Sequence, residues 1–203
     1  MMKWLFFDVG STIVDERNAY QKRLQDIADA AGVTYEAVLE TAMDFYRANR
    51  KGDKEAAKCY GVSLTPWHVE EERLYPDAAQ SLEMLHKQYK IGIIANQDYG
   101  TRERLERYGV LSYIDLIIAS AEEGVSKPDR RIFEIALKRS GCNPEDAMMI
   151  GDRIDNDIVP AKALGMRTAW IKQGFGAFWN ITMECEKADL AVDNLSELCE
   201  KLR

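Results

Sequence analysis

Lys3-Trp-Leu-Phe-Phe-Asp8-Val-Gly10-Ser-Thr12-Ile-Val14 is an apolar and aromatic run that ends in one carboxylate, with glycine and two hydroxyl residues directly after it. The run reads as a buried strand over residues 3–9, and Gly10-Ser11-Thr12 as the turn that leaves it. Asp8 then stands at the carboxyl end of the strand, where open α/β sheets gather their chemistry. A carboxylate there serves as a nucleophile toward phosphorus or carbon, as a metal ligand, or only as a cap on its own turn.

A second stretch has the same form. Ala147-Met-Met-Ile150-Gly151-Asp152-Arg-Ile-Asp155-Asn156-Asp157-Ile158 is another apolar strand that breaks into glycine and a group of acids. Between the two lies Glu123-Gly-Val-Ser126-Lys127-Pro128-Asp129, which sets a lysine just ahead of a helix. Acids gathered on one sheet edge repel each other unless a cation binds among them. Asp152 and Asp157 are therefore read as functional, and Asp155 as the N-cap of the helix that follows.

The chain between these motifs divides in two. Residues 16–31 carry Tyr20, Leu24, Ile27, Ala28 and Ala31 at helical spacing and stop at Gly32. Residues 34–50 repeat the pattern behind Thr34, and shorter helical pieces are expected at 53–60 and at 65–74, with Pro66 in a first turn. This all-helical block, residues 15–75, reads as a small helical cap inserted after the first strand. From Pro76 helices and strands alternate. Strands fall at 91–95, 114–118, 146–150, 167–171 and 189–192, and helices at 77–89, 99–108, 129–140, 155–164 and 195–202. Alternation of this kind implies a parallel sheet between helices, a Rossmann-like α/β core made of residues 1–14 and 76–203. Residues 173–187 read as a loop over the sheet edge.

In this order Asp8, the Ile93-Ile94-Ala95-Asn96 strand end, Lys127-Pro128 and Gly151-Asp152-x-x-x-x-Asp157 resemble the haloacid dehalogenase-like hydrolase superfamily, from residue 3 to about residue 172. Members are mostly magnesium-dependent phosphatases that work through an aspartyl-phosphate, and some are dehalogenases or phosphonatases. The resemblance implies Asp8 as nucleophile and Lys127 as the cation that neutralises Asp8 and the transferring phosphoryl group. It implies Mg²⁺ held by Asp8, the Gly10 carbonyl and Asp152, with Asp157 binding through water or fixing the cluster. The substrate expected is a small phosphorylated metabolite.

Two positions depart from the family pattern. The phosphatases carry a second Asp two residues after the nucleophile, which protonates the leaving alkoxide and then activates water; here that residue is Gly10. The loss of such help is worth about 10²- to 10⁴-fold in rate, so weak turnover of alkyl phosphates is expected. Gly10→Asp is expected to raise it. Ala95 stands where the family has Ser or Thr, and Asn96 is expected to bind the phosphate in its place through its amide and N–H. Ser11 and Thr12 are read as residues that bond their own turn. Two alternatives stand beside the phosphatase: a non-catalytic or regulatory protein on the same scaffold, and a metal-independent dehalogenase, for which Gly10 is no obstacle.

Composition narrows the setting. The net charge of −7 over 203 residues, with no basic tract, argues against nucleic acid as a partner. No run approaches the ~20 apolar residues of a membrane span, and the apolar start has no cleavage site. Cys59, Cys142, Cys185 and Cys199 are scattered, which suits reduced thiols in the cytoplasm. In the inserted block Arg17, Arg47, Arg50 and His68 are candidates to reach the site, though each is more often a solvated helix residue.

Overall fold

The structure, a computed structural model, describes residues 2–203. Its first strand, β1 (Trp4–Phe7), is flanked on both sides by parallel partners, β4 (Lys90–Ala95) and β6 (Ala147–Gly151). That central place explains the unbroken apolar run, because a parallel strand is covered on both faces. Leu5 and Phe7 enter one core layer, with Ile91, Ile93 and Leu105. Phe6 enters the other, with Ile94, Ile118 and Phe133. The two layers follow from the period of two along a strand.

The described residues form a six-stranded parallel sheet in the order β5 (Leu116–Ala119), β4, β1, β6, β7 (Arg167–Ile171), β8 (Leu190–Val192). The chain runs outward from β1 through β4 to β5, then returns to the far side of β1 at β6. The carboxyl ends of β4, β1 and β6 therefore meet where the strand order reverses, the place where such sheets bind ligands. The α/β reading of the sequence matches this architecture, with strand limits shifted by one or two residues.

After β1 the chain turns sharply, with Val14 N–H donating to the Val9 carbonyl at 2.9 Å. It then leaves the core through β2 (Val14–Asp15) into three helices: α1 (Arg17–Ala31), α2 (Tyr35–Arg47) and α3 (Gly52–Cys59). These close on their own core of Leu24, Ile27, Ala28, Val38, Ala42, Tyr46, Ala56 and Ala57. Thr34 caps α2, as its position ahead of the periodic run implies, accepting from Ala37 N–H at 3.3 Å.

The stretch 65–74 is not the helix expected. It contains a single 3₁₀ turn at Val69–Glu71 and a strand, β3 (Arg73–Leu74), antiparallel to β2. Side chains five residues apart explain why: Trp67 Nε1–H donates to Glu72 at 2.6 Å, a pairing that a regular helix does not place on one face. Glu72 is itself buried, holding Arg104 and accepting from the Tyr108 hydroxyl at 3.2 Å. Paired β2 and β3 make a two-stranded stalk between the inserted helices and the sheet.

Residues 173–187 reach further than the sheet edge. Phe175 stacks on Tyr46 at 4.1 Å and meets Tyr20 edge-on at 5.0 Å, and Asn49 exchanges two 2.8 Å hydrogen bonds with the Asn180 backbone. The loop thus ties the inserted helices to the core. The four cysteines are free thiols. Among the described residues no helix is long and apolar enough to cross a membrane.

Candidate active site

Asp8 follows β1 directly, and its N–H donates to the Ile150 carbonyl at 2.9 Å, which extends the β1–β6 pairing by one residue. The backbone is thus fixed while the carboxylate stands free at the sheet edge. Lys127 comes to it from the loop after a short helix at Ser120–Glu123, with Nζ 2.9 Å from Asp8 Oδ1 and 2.6 Å from Asp157 Oδ1. That loop is held by Asn96 at the end of β4, which accepts from Lys127 N–H at 2.7 Å and donates to the Lys127 carbonyl at 2.8 Å. Asn96 therefore positions the lysine through its carbonyl and one N–H. The phosphate-binding role expected of its amide has only what remains.

Asp152 follows the end of β6, and a π-helical turn over Ile154–Ile158 brings Asp157 back beneath it. Asp157 Oδ2 accepts from Arg153 N–H at 3.0 Å. This return demands glycine at 151. A Cβ there would lie 2.7 Å from the Asp157 Cβ and nearer still to its carboxylate. Asp155 does not cap a helix. It lies within the π turn and pairs with Arg153 at 2.9 and 2.7 Å, because the turn begins one residue earlier than the sequence suggests.

Carboxylate oxygens of Asp8, Asp152 and Asp157 all lie within 4.8 Å of one another. Lys127 is the one ammonium among them, and it is 3% exposed, while Asp152 is 5% and Asp157 0% exposed. Burial, then the charges of Asp157 and Asp8, drives the Asp152 carboxyl well above the carboxylate range. Burial also pushes Asp157 up to about 6 against the pull of Lys127. Burial alone would lower Lys127, but Asp157 and Asp8 together hold it above its usual value. Three acids and one base leave an excess of negative charge that an oxygen-loving cation cancels. The all-oxygen donor set fits magnesium.

The cleft above these residues holds about 150 Å³ and is walled by Gly10, Ser11, Glu16, Lys51 and Arg153 as well as Asp8 and Asp152. It opens into an adjoining space of about 280 Å³ lined by Tyr20, Arg23, Lys54 and Trp67. Of the candidates from the inserted block, Arg17 pairs with Asp15, Arg47 with Asp44, Arg50 with Glu55, and His68 with Asp26. Arg50 also borders a small cavity beside Asp152 and Arg153, and in the cleft itself Lys51 and Arg153 join Lys127. Lys51 has no ion-pair partner among the described residues, and burial followed by the nearby Arg153 and Lys54 charges lowers its pKa. The sequence offers no periodic signal for Lys51, since it lies in the link between α2 and α3.

Glu16 is the other residue that the sequence conceals. It occupies the N-cap position of α1 yet caps nothing with its side chain. It turns back to the β1 loop and accepts from the Ser11 hydroxyl at 3.0 Å, so Ser11 bonds a carboxylate and not its own turn. An ideal Cβ on Gly10 would lie 2.7 Å from both Glu16 Cδ and Oε2. Burial pushes the Glu16 carboxyl up to about 8.

A family model of haloacid dehalogenase-like hydrolases matches residues 2–165. The glyceraldehyde 3-phosphate phosphatase of Pyrococcus furiosus is 29% identical over 99% of this chain and 93% of its own length. A ribulose-1,5-bisphosphate 5-phosphatase of Halopiger xanaduensis is 37% identical over 59% of this chain and 49% of its own. Among solved structures, a phosphatase of the same superfamily from Thermococcus onnurineus superposes with a TM-score of 0.67 at 25% identity, covering 99% of this chain and 98% of that one. The match from residue 2 to 165 takes in Asp8, Lys127, Asp152 and Asp157, and on it the chain belongs to the haloacid dehalogenase-like hydrolases.

Proposed function

We propose that this hydrolase is a magnesium-dependent phosphatase acting on small phosphomonoesters, with residues 15–75 as a cap over its site. The observation that carries the reading is the convergence of Asp8, Asp152 and Asp157 within 4.8 Å around a single buried lysine. A halide displacement by Asp8 needs no metal, so the dehalogenase reading leaves the two buried acids without a task. A non-catalytic scaffold likewise has no use for buried carboxylates that repel each other.

Magnesium would be held by Asp8, the Gly10 carbonyl and Asp152, with Asp157 binding through water or fixing the cluster, and would supply the positive charge that lets an anionic nucleophile approach an anionic ester. The remaining work belongs to the chain. Asp8 presents one carboxyl oxygen to phosphorus while Lys127 holds the other oxygen at 2.9 Å and faces the phosphoryl oxygens. Asn96 keeps that lysine in place through the loop backbone. Lys51 and Arg153 both line the cleft and attract an anionic substrate. The relatives named for triose and pentose phosphates support a substrate of that size, which suits the cleft volume. The free thiols support a cytoplasmic setting.

The test is phosphate release from a panel of sugar, triose, acyl and aryl phosphates, with magnesium and with a chelator. Turnover that vanishes on chelation, and that falls at least about 10³-fold in Asp8→Asn with the circular dichroism unchanged, is the expected result. Halide release from 2-chloropropionate without metal, or no turnover of any ester, would overturn the reading.

A further inference from the structure

We propose that Glu16 is the general acid and base of this site, entering from the start of α1 to fill the position that Gly10 leaves open. The proposal rests on the phosphatase reading above. Its ground is steric. A side chain on residue 10 would begin where the Glu16 carboxyl group already sits, with Glu16 Cδ and Oε2 each 2.7 Å from the ideal Cβ. Two places in the chain thus compete for one volume at the floor of the cleft, and in this protein the carboxyl comes from residue 16.

Three further observations agree. Glu16 stands at an N-cap yet its side chain bonds none of the helix N–H groups, and Arg17 N–H donates instead to Asp15 at 3.0 Å, so capping does not explain its orientation. Ser11 Oγ–H donates to Glu16 Oε2 at 3.0 Å and fixes the carboxyl from the β1 side, leaving Oε1 for another partner. Glu16 lines the same cleft as Asp8 and Lys127, and the adjoining space as well, so a bound ester lies beside it. The glycine at 10 is then the complement of the glutamate at 16.

An Asp8 oxygen bonds to phosphorus, the bond from phosphorus to the ester oxygen breaks, and that oxygen takes the Glu16 proton and leaves as an alcohol. The Glu16 carboxylate then removes a proton from water as the water oxygen bonds to phosphorus. The bond from Asp8 to phosphorus breaks, phosphate departs, and both carboxyl groups return to their starting forms. The weak alkyl-phosphate turnover expected from residue 10 alone takes no account of this second carboxyl.

The experiment compares glycerol 3-phosphate, whose alkoxide needs a proton, with p-nitrophenyl phosphate, whose phenolate does not, in magnesium. Intact-protein mass is recorded alongside. Glu16→Gln is expected to slow the alkyl ester about 10²- to 10⁴-fold. Asp8 still becomes phosphorylated by the aryl ester, and the phosphoenzyme now accumulates because its hydrolysis lacks a base. Gly10→Asp placed in a Glu16→Ala background is expected to recover alkyl turnover at least about tenfold. Glu16→Gln that keeps the alkyl rate, or that slows both esters equally without any phosphoenzyme, overturns the proposal. So does Gly10→Asp alone raising the alkyl rate about 10²-fold, the mark of a site with no acid. Wild-type protein that hydrolyses neither these two esters nor any other of the panel above removes the phosphatase reading itself, and this assignment with it.

Discussion

Lys127 is a cation enclosed by two acids, and its removal separates electrostatic support from packing. With Nζ 2.9 Å from Asp8 and 2.6 Å from Asp157, it is the partner that lets Asp157 be fully buried. Lys127→Met keeps most of the volume and leaves the acids uncompensated, which costs about 3–5 kcal/mol of stability. A urea titration in a chelating buffer reads it; an unshifted midpoint would mean that the acids are held by something else. Gly151→Ala tests the other side of the same cluster. Its methyl group would meet Asp157, which Lys127 and the Arg153 N–H prevent from moving aside, so a loss of about 1–3 kcal/mol is expected. At this scale Asp8, Asp152 and Asp157 are legible in the sequence because each stands where an apolar run breaks at glycine, and Lys127 because it sits in a Ser-Lys-Pro-Asp context between them. Glu16 is not legible. Its local signal is that of an acid at a helix start, and only the folded turn brings it over Gly10.

The segment between Leu64 and Tyr75 shows how an element is misread. Pro66 ahead of alternating polar and apolar residues resembles a helix start, but the contacts that decide its course lie far along the chain. β3 pairs with β2, Glu72 binds Arg104, and His68 meets Asp26 on α1 at 2.6 Å. No local periodicity encodes partners some 30 to 60 residues away, whereas α2 and its Thr34 cap are written within one window. The His68–Asp26 pair makes a pH-dependent clasp. The hydrogen bond that His68 donates to Asp26 raises His68 above 6.5, so its stabilisation is complete below 6.5 and is lost as pH rises through the raised value. Burial works to raise Asp26, but Thr65 and His68 outweigh it and hold it below 3.8, so its share is present above 3.8 and is lost as pH falls through the lowered value. The gap in melting temperature between wild type and His68→Gln is therefore expected to be widest between these limits, near about pH 5, and to close at alkaline pH. A gap that widens with rising pH would contradict the clasp.

Across the whole molecule the chemistry lies between two bodies that the chain joins three times, through the two strands of the stalk and through the loop after β7. The α/β alternation foretells the sheet because each crossover is a short-range event, and it foretells the edge where Asp8 and Asp152 meet. It says nothing of the third connection. Residues 173–187 carry aromatics and glycines without periodicity, and their destination is set by Tyr46 and Tyr20 on helices more than a hundred residues earlier. Phe175 is the pin of that connection, with two aromatic partners each worth about 0.5–1.5 kcal/mol beyond the area buried. Lys51 and Arg153 approach the cleft from the two bodies that Phe175 joins, so freeing the pin separates the cations that attract the substrate while Asp8 and Lys127, both fixed to the sheet, keep their distance. Phe175→Ala is thus expected to lower stability by about 1–3 kcal/mol and to raise KM for a small phosphate ester several-fold, with kcat much less affected. An equal fall in kcat with KM unchanged would place the loop's effect on the chemical step and not on how the inserted helices hold the substrate against the sheet.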